Sequence, residues 1–330
     1  MLRSLHRYAA ALLACCAPLL SLAQAAATDC PPQAPPLTPE QVEAGMRAAE
    51  DHGFLWRVTR DGRTSYLYGT IHVARLEWVF PGPTVVDALR ESDTVALELD
   101  VLDAEVQRRL QLAMSADRGL ALPAAVVDRV RRRAALECVS PDALAKMAPE
   151  MQVASLTVLA ARRDGLDPAY SVDLMLSGVA HGARKTVISL ETPEAQMKAL
   201  QMPSADDAVA FMTDALDDLE SGRVRPLLNR LAAIWAAGDH AQLSRYGEWC
   251  DCRRTPAEQL AMKRLVDDRN PAMADAIDAL HRNGRRVFAA VGSLHMIGPR
   301  GLPALLAARG YTVERGDFEA EPEAQPPKAQ

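Results

Sequence analysis

Two stretches of the sequence, more than two hundred residues apart, contain the same two residue types at the same spacing. Residues 66–73 read YLYGTIHV and residues 288–296 read FAAVGSLHM, so each apolar run ends in Gly-x-x-His. A glycine at that position permits a tight turn where a strand ends. Such a turn would direct His72 and His295 into a cleft, and imidazoles together with carboxylates bind divalent transition metals. The alternative is that both are hydrogen-bonded structural histidines.

Acidic residues close other apolar runs. Glu98 and Asp100 end VALELD, and Glu191 ends VISLE. A metal held by such groups would polarise a carbonyl or lower the pKa of a bound water, and a second acid or histidine would serve as the general base. A third Gly-x-x-His, at residues 178–181, lies at the end of a helical pattern and is followed by another glycine. We therefore expect His181 to mark a helix terminus.

The elements that must position these residues alternate between strand and helix. The first motif is followed by a loop, a helix over 84–92 and a strand over 94–100, and the second by a helix over 303–309 and a strand over 311–316. This repeated order predicts an α/β fold with a mostly parallel central sheet built from two βαβ-like halves. Ligands gather at the carboxyl ends of such strands. The two motif histidines should therefore lie near each other across the crevice.

The α/β domain is predicted to span residues 38–318. Apolar residues recur every three or four positions over about 103–182, with no strand-like run, which predicts a large helical insert between the two halves. Further helices are expected over 193–283. A proline-rich linker over 26–37 precedes the domain, and an acidic, proline-containing tail over 319–330 follows it and is expected to be disordered.

Residues 1–25 have the features of a signal peptide. Arg3 and Arg7 precede a short apolar segment, and residues 23–25 read AQA, an A-x-A cleavage site. We therefore expect a periplasmic or secreted protein after cleavage. No later apolar segment is long enough to span a membrane, so no stable span is expected in the mature chain. With 37 basic and 43 acidic residues and one short basic cluster at 131–133, nucleic acid is not an expected partner.

Four of the six cysteines lie beyond the predicted signal peptide. An even number of cysteines in an oxidising compartment predicts two disulfides. Cysteines separated by one residue rarely bond to each other, so we expect Cys250 and Cys252 to bond with Cys30 and Cys138. A zinc site at the Cys-x-Cys pair is the alternative, although no further His or Cys lies nearby at the spacing typical of zinc fingers.

Five blocks of the sequence resemble the TraB/GumN family, which includes the Tiki metalloproteases. In chain order they read YLYGTIHV, VALELD, TVISLETPEAQ, DDRN and VFAAVGSLHMIGPRGLPALLAARGYTV, within residues 64–315. The resemblance implies a metal-dependent protease that uses manganese or cobalt, with zinc kept as a third candidate metal. It also implies a fold related to erythromycin esterase and to ChaN-like haem-binding proteins. One departure is Met-Ile-Gly after His295, where the family has Leu-Pro-Gly or Leu-Gly-Gly.

The resemblance further assigns roles to residues that match the motifs. It implies metal binding by His72, Glu98 and His295. It implies catalytic roles for Glu191, Arg269 and Asn270. Among these, Glu191 would be a further ligand or the general base, and Arg269 would stabilise the developing oxyanion.

These observations predict an exported metal-dependent hydrolase, a peptidase that acts on a peptide or protein substrate. The main alternative is a non-enzymatic envelope protein that holds haem, a metal or a peptide in the same cleft. A third interpretation is an accessory factor in envelope polysaccharide or signalling pathways, with a degenerate site.

Overall fold

The computed structural model describes residues 30–115 and 119–316. The predicted signal peptide, the first residues of the predicted linker and the predicted tail over 319–330 lie outside the described residues. Within the described part of the chain, no helix is both long enough and apolar enough to cross a membrane.

Six strands form one sheet in the order β4-β3-β5-β2-β1-β6. Five strands run in the same direction, because β2, β5, β3 and β4 pair in parallel and β6 is antiparallel to the one reversed strand, β1. The prediction of an α/β fold with a mostly parallel sheet is therefore confirmed. The strands are β1 (Phe54–Arg60), β2 (Arg63–Thr70), β3 (Thr94–Leu97), β4 (Thr186–Ser189), β5 (Val287–Gly292) and β6 (Thr312–Gly316).

The reversed strand is the first arm of a hairpin. Asp61 and Gly62 connect β1 to β2, and their φ angles of 52° and 72° give the left-handed turn that matches the twist of two antiparallel strands. Asp-Gly is the usual sequence for this turn. The hairpin places the first Gly-x-x-His at the carboxyl end of β2.

The two βαβ-like halves interleave within the sheet. β2 and β3 are joined through a helix and run in parallel, but β5 lies between them and pairs with both. The second half, from β5 to β6, reaches across β2 and β1 in the same way. The interleaving places the ends of β2 and β5 side by side, with Thr70 opposite Gly292.

The described residues form fifteen α-helices, and the described part of the predicted insert contains helices joined by turns and loops, with no strand. One π-helical turn, Lys263–Asp267, precedes the fourteenth helix. The helices are α1 (Pro39–Ala48), α2 (Pro83–Glu91), α3 (Ala104–Met114), α4 (Ala124–Leu136), α5 (Pro141–Leu144), α6 (Pro149–Ala160), α7 (Val172–Gly182), α8 (Pro193–Leu200), α9 (Ala205–Glu220), α10 (Val224–Ala236), α11 (His240–Ser244), α12 (Tyr246–Trp249), α13 (Pro256–Met262), α14 (Asn270–Arg282) and α15 (Leu302–Ala308).

Two apolar cores correspond to the sheet and to the insert. Strands β3 and β5 are buried along their whole length and form the centre of the larger core. A second core lies between the insert helices α4 to α6 and helix α9, where Val130 and Leu156 pack with Met212 and Leu216. Helix α7 belongs to the insert in sequence, but its residues Val172, Leu176 and Ala180 pack in the sheet core. The insert therefore reaches the sheet through α7.

The predicted disulfide pairing is wrong, although all four cysteines are bonded. Cys30 bonds with Cys138, and Cys250 bonds with Cys252. The cause is local: Asp251 has a φ of 49°, which folds the chain back and brings the Cα atoms of its two neighbours to 5.1 Å, within the range for a disulfide. Because no thiolate is left, the zinc alternative at Cys-x-Cys does not hold.

Candidate functional site

The two Gly-x-x-His motifs pack against each other at their glycines. A β-carbon added to Gly69 would stand 3.0 Å from Ser293 Oγ, and one added to Gly292 would stand 3.4 Å from His72 Nε2. Ser293 Oγ also donates to the carbonyl oxygen of Thr70 at 2.7 Å. The glycines therefore let the two motifs approach closely: a side chain at Gly69 would crowd Ser293, and one at Gly292 would crowd Glu98, whose Oε1 would lie 3.2 Å from the added carbon.

Glu98 lies where the two motifs meet. It follows β3, is buried, and its Oε1 accepts a hydrogen bond of 2.8 Å from the backbone N–H of Gly292. The same oxygen lies 4.0 Å from His72 Nε2 and 4.0 Å from His295 Nε2. The two Nε2 atoms are therefore no more than 8.0 Å apart, and both face one carboxylate oxygen.

His295 is held by a neutral partner in a buried environment. Its Nδ1 lies 2.6 Å from Asn270 Oδ1, and the amide nitrogen of Asn270 donates to the Arg300 carbonyl at 2.7 Å. Because this donation fixes which end of the amide is the oxygen, His295 must donate from Nδ1 and present an unprotonated Nε2. Burial lowers the pKa of His295 to about 4, so the ring is neutral at physiological pH.

His72 is held by a charged partner near solvent. Its side chain is 62% exposed, and its Nδ1 lies 2.8 Å from Asp173 Oδ2. Asp173 is itself fixed by Thr70, whose Oγ1 donates to Oδ1 at 2.7 Å. The negative charge of Asp173 raises the pKa of His72 to about 9. Asp173 comes from α7, so the insert supplies this partner.

The guanidinium group of Arg269 contacts several residues of the site. Arg269 pairs with both Glu98 and Glu191, and its Nη1 donates to the Leu265 carbonyl at 2.9 Å and lies 3.3 Å from His295 Nε2. Burial would raise the pKa of Glu98, but His295, Arg269 and His72 outweigh it and hold that pKa well below its usual range. Arg269 follows the π-helical turn, a distortion that often marks functional sites in helices.

The structure brings most of the predicted site residues into one cluster. His72, Glu98, Glu191, Arg269 and His295 contact one another or share a partner there. We call these five residues the His-Glu-Arg cluster. The sixth predicted residue, Asn270, lies behind His295 and contacts its Nδ1 rather than the centre.

Two cluster partners were not predicted. Gln196 donates to Glu98 Oε2 at 3.0 Å and lies within the ETPEAQ block that carried the family resemblance, so that block was the available signal. Asp173 lies in the insert, where no motif distinguishes it from other acidic residues. The candidate carboxylate Asp100 is outside the cluster: it accepts from Ser177 Oγ at 2.7 Å and lies 2.8 Å from His181 Nε2, in the last turn of α7.

The two imidazole nitrogens and the carboxylate of the cluster are the kinds of ligand that divalent transition metals bind. The distances between them are longer than at a site with a metal bound. Two imidazole Nε2 atoms with oxygen partners at Nδ1 face a carboxylate, as at many protein metal sites. Donors around a tetrahedral zinc stand about 3.4 Å apart, whereas these Nε2 atoms lie 4.0 Å from Oε1. In the described residues no group of three or more His, Cys, Asp or Glu side chains has an arrangement that could hold a metal. The guanidinium of Arg269 stands beside both Glu98 and His295 Nε2.

The fold and the site define an α/β protein with a His-Glu-Arg cluster at the carboxyl ends of parallel strands. The model of the TraB/PrgY/gumN family matches residues 54–315, from the first residue of β1 into β6, so the chain belongs to this family. No curated protein and no solved structure matches the chain.

Proposed function

We propose that this protein is an exported, metal-dependent hydrolase that cleaves peptide bonds. The observation that carries the proposal is the convergence of His72 Nε2 and His295 Nε2 on one oxygen of Glu98, each ring fixed through Nδ1. Fixed rings that face a shared carboxylate are what a catalytic metal site needs before the metal binds. The two disulfides support the export part of the proposal, because such bonds persist in oxidising compartments.

In this proposal His72, Glu98 and His295 would hold the metal, and their side chains would have to move closer together to do so. A divalent metal bound there would supply a Lewis acid and lower the pKa of a bound water. Asp173 and Asn270 contact Nδ1 of the two imidazoles, so Nε2 is the nitrogen that each ring would offer to a metal, and His72 would have to release its Nε2 proton as the metal binds. Water adds to the carbonyl carbon of the substrate, the C–N bond breaks, and the amine leaves with the proton released by the water.

Arg269 imposes a condition on this chemistry. Its five N–H groups all have partners: Glu191 twice, Glu98, the Leu265 carbonyl and His295 Nε2. Arg269 can therefore stabilise an anionic oxygen only after it releases one of them. His295 Nε2 is the weakest partner at 3.3 Å and is the atom that would bind the metal. Ligand binding by His295 would thus free one N–H for the substrate oxygen.

Glu191 is a weak candidate for the general base in this geometry. Both of its oxygens accept hydrogen bonds from Arg269, so neither is directed at a position where a water could be held. The arrangement supports a positioning role instead, in which Glu191 holds the guanidinium in place beside Glu98.

The proposal is tested by metal analysis and a peptidase assay on the purified protein, with manganese, cobalt and zinc supplied separately. We expect one divalent ion per chain and peptide cleavage, and we expect Glu98→Gln to reduce metal affinity and kcat/KM together, by more than about 100-fold, because it removes the shared ligand charge. The matched control is Asp100→Asn, which neutralises a buried carboxylate two residues away and outside the cluster. Tight haem binding without metal uptake or peptide cleavage would instead support the non-enzymatic alternative.

A further inference from the structure

Two apolar cavities meet at the His-Glu-Arg cluster. The first has a volume of about 520 Å³ and lies against the insert, and we call it the insert pocket. The second has a volume of about 290 Å³ and lies against helix α10, and we call it the α10 pocket. The two share four lining residues, His72, Val158, Leu265 and Arg269, so they adjoin at the cluster.

The walls of both pockets are apolar away from the cluster. In the insert pocket every charged lining residue belongs to the cluster or, as Asp173, directly contacts it. In the α10 pocket the titratable lining residues are His72, Arg269 and His295, all members of the cluster. The remaining walls include Leu110 and Leu174 in the first pocket and Leu231 and Trp235 in the second. Apolar walls with a few convergent polar groups are typical of sites that bind small apolar groups.

The insert pocket has apolar side chains that the protein itself does not cover. Helix α3, which contributes Leu110, has no buried residue. Leu174, on the first turn of α7, is 36% exposed and lines the same cavity. An apolar group placed in the pocket would remove these surfaces from water, which is favourable in proportion to the area covered.

We infer that the substrate is a peptide with a large apolar side chain on each side of the bond that is cut. The inference rests on the proposed function, because the cluster between the pockets must hold the reacting bond. Two adjoining pockets with different walls away from the cluster suit two side chains of one extended chain.

Wild-type protein supplied with the metal that gives the highest activity should prefer Leu to Ala at each position flanking the cut by about 10- to 100-fold in kcat/KM, as is typical of apolar side-chain pockets. Leu174→Lys should reduce cleavage of the Leu-containing peptide about tenfold and lower the preference on one side only. The matched control is Leu112→Lys, since Leu112 is a 59% exposed leucine that lines neither pocket. It should change kcat/KM by less than twofold.

The second pocket is tested by Leu231→Ala, which widens it without adding charge. The preference on the other side of the cut should shift from Leu toward Phe or Trp, and thermal unfolding will show whether the variant is folded. Titration calorimetry on chelator-treated wild-type protein supplies a readout independent of catalysis. A peptide with Leu on both sides should bind at least tenfold more tightly than its Ala counterpart.

The outcomes separate this inference from the proposed function. If the wild-type protein cuts peptides with no preference between Leu, Ala and Lys, the pocket assignment is overturned while the hydrolase proposal stands. If it binds the Leu peptide selectively but cuts none with any of the three metals, the pocket assignment stands and the hydrolase proposal fails. Cleavage of long-chain acyl esters in preference to every peptide would overturn the peptide assignment.

Discussion

His72 and His295 end neighbouring strands with the same motif, but their surroundings are opposite. His295 is 4% exposed, and its partner is the neutral amide of Asn270. Because no negative charge contacts its Nδ1, burial lowers the pKa of His295. His72 has an exposed side chain and faces the carboxylate of Asp173, which raises its pKa. At neutral pH one ring is therefore neutral and the other is protonated.

This difference shows that the motif and its surroundings control different properties. The Gly-x-x-His spacing at the ends of parallel strands directs both Nε2 atoms to Glu98. The charge of His72 is set by the carboxylate behind it and that of His295 by burial, and the residues behind the two rings come from different parts of the chain. Asn270 begins helix α14, whereas Asp173 lies in the insert, so the insert controls the charge of one histidine.

The largest expected effect is that of His295→Ala compared with His72→Ala. Both should abolish metal-dependent hydrolysis, but only His295→Ala should also reduce the free energy of unfolding, by about 2–3 kcal/mol, because it creates a cavity and leaves Asn270 Oδ1 without a donor. His72→Ala should cost less than about 1 kcal/mol, since its ion pair is solvent-screened. Chemical denaturation of the metal-free variants measures both. Equal losses of stability would show that the two sites are not as different as their burial indicates.

A smaller effect is expected from substituting Asp173 and Asn270, the residues that contact Nδ1 of His72 and His295. Asp173→Asn and Asn270→Asp should each lower metal affinity about 10- to 100-fold, because these residues orient the imidazoles rather than bind the metal. Asp173→Asn should also lower the pKa of His72 toward its usual value, which NMR titration of the ring protons can detect. An unchanged His72 titration would mean that Glu98, not Asp173, sets its charge.

The smallest effect is the pH dependence of stability in the metal-free protein. The pKa of His72 is about 9 in the folded state and about 6.5 when unfolded, so its contribution is complete below pH 6.5 and is lost as the pH rises through 9. Screening limits this loss to less than about 1 kcal/mol. For His295, with a folded pKa of about 4, the contribution is present above pH 6.5 and falls as the pH drops toward 4. Denaturation at intervals from pH 5 to 9.5 should show both limbs, and Asp173→Asn should flatten only the alkaline one.

Much of the fold could be predicted from local sequence signals. Asp61 and Gly62 define the hairpin, Thr38 and Gln41 form a capping box at the start of α1, and the apolar runs give the strands. The end of α1 at Ala48 could not be predicted in this way, since the next glycine in the sequence is Gly53. Asp51 is used instead to accept from the backbone N–H groups of Thr84 and Val85 at the start of α2, so the chain leaves the helix after Ala48.

The rest depends on contacts between distant residues. The proximity of His72 and His295 could be predicted, because carboxyl ends of parallel strands share one edge. The position of β5 between β2 and β3 could not, since strand order is set by pairing across the whole chain. The contact of Asp173 with His72 could not be predicted either, because the two residues are 101 positions apart in the sequence. The predicted pairing of Cys250 and Cys252 was wrong because their bond depends on the left-handed conformation of Asp251, which has no reliable sequence signal.

The interleaved sheet has a consequence for how the molecule is made. Its central strand, β5, is translated long after β2 and β3, and the hydrogen bond from Gly292 to Glu98 joins residues 194 apart. Until β5 inserts, the facing edges of β2 and β3 have unpaired backbone groups, which makes this stage prone to aggregation. Closing such long loops makes folding slow. The nascent chain therefore has no assembled cluster, and any activity of that cluster must wait for the sheet to be completed.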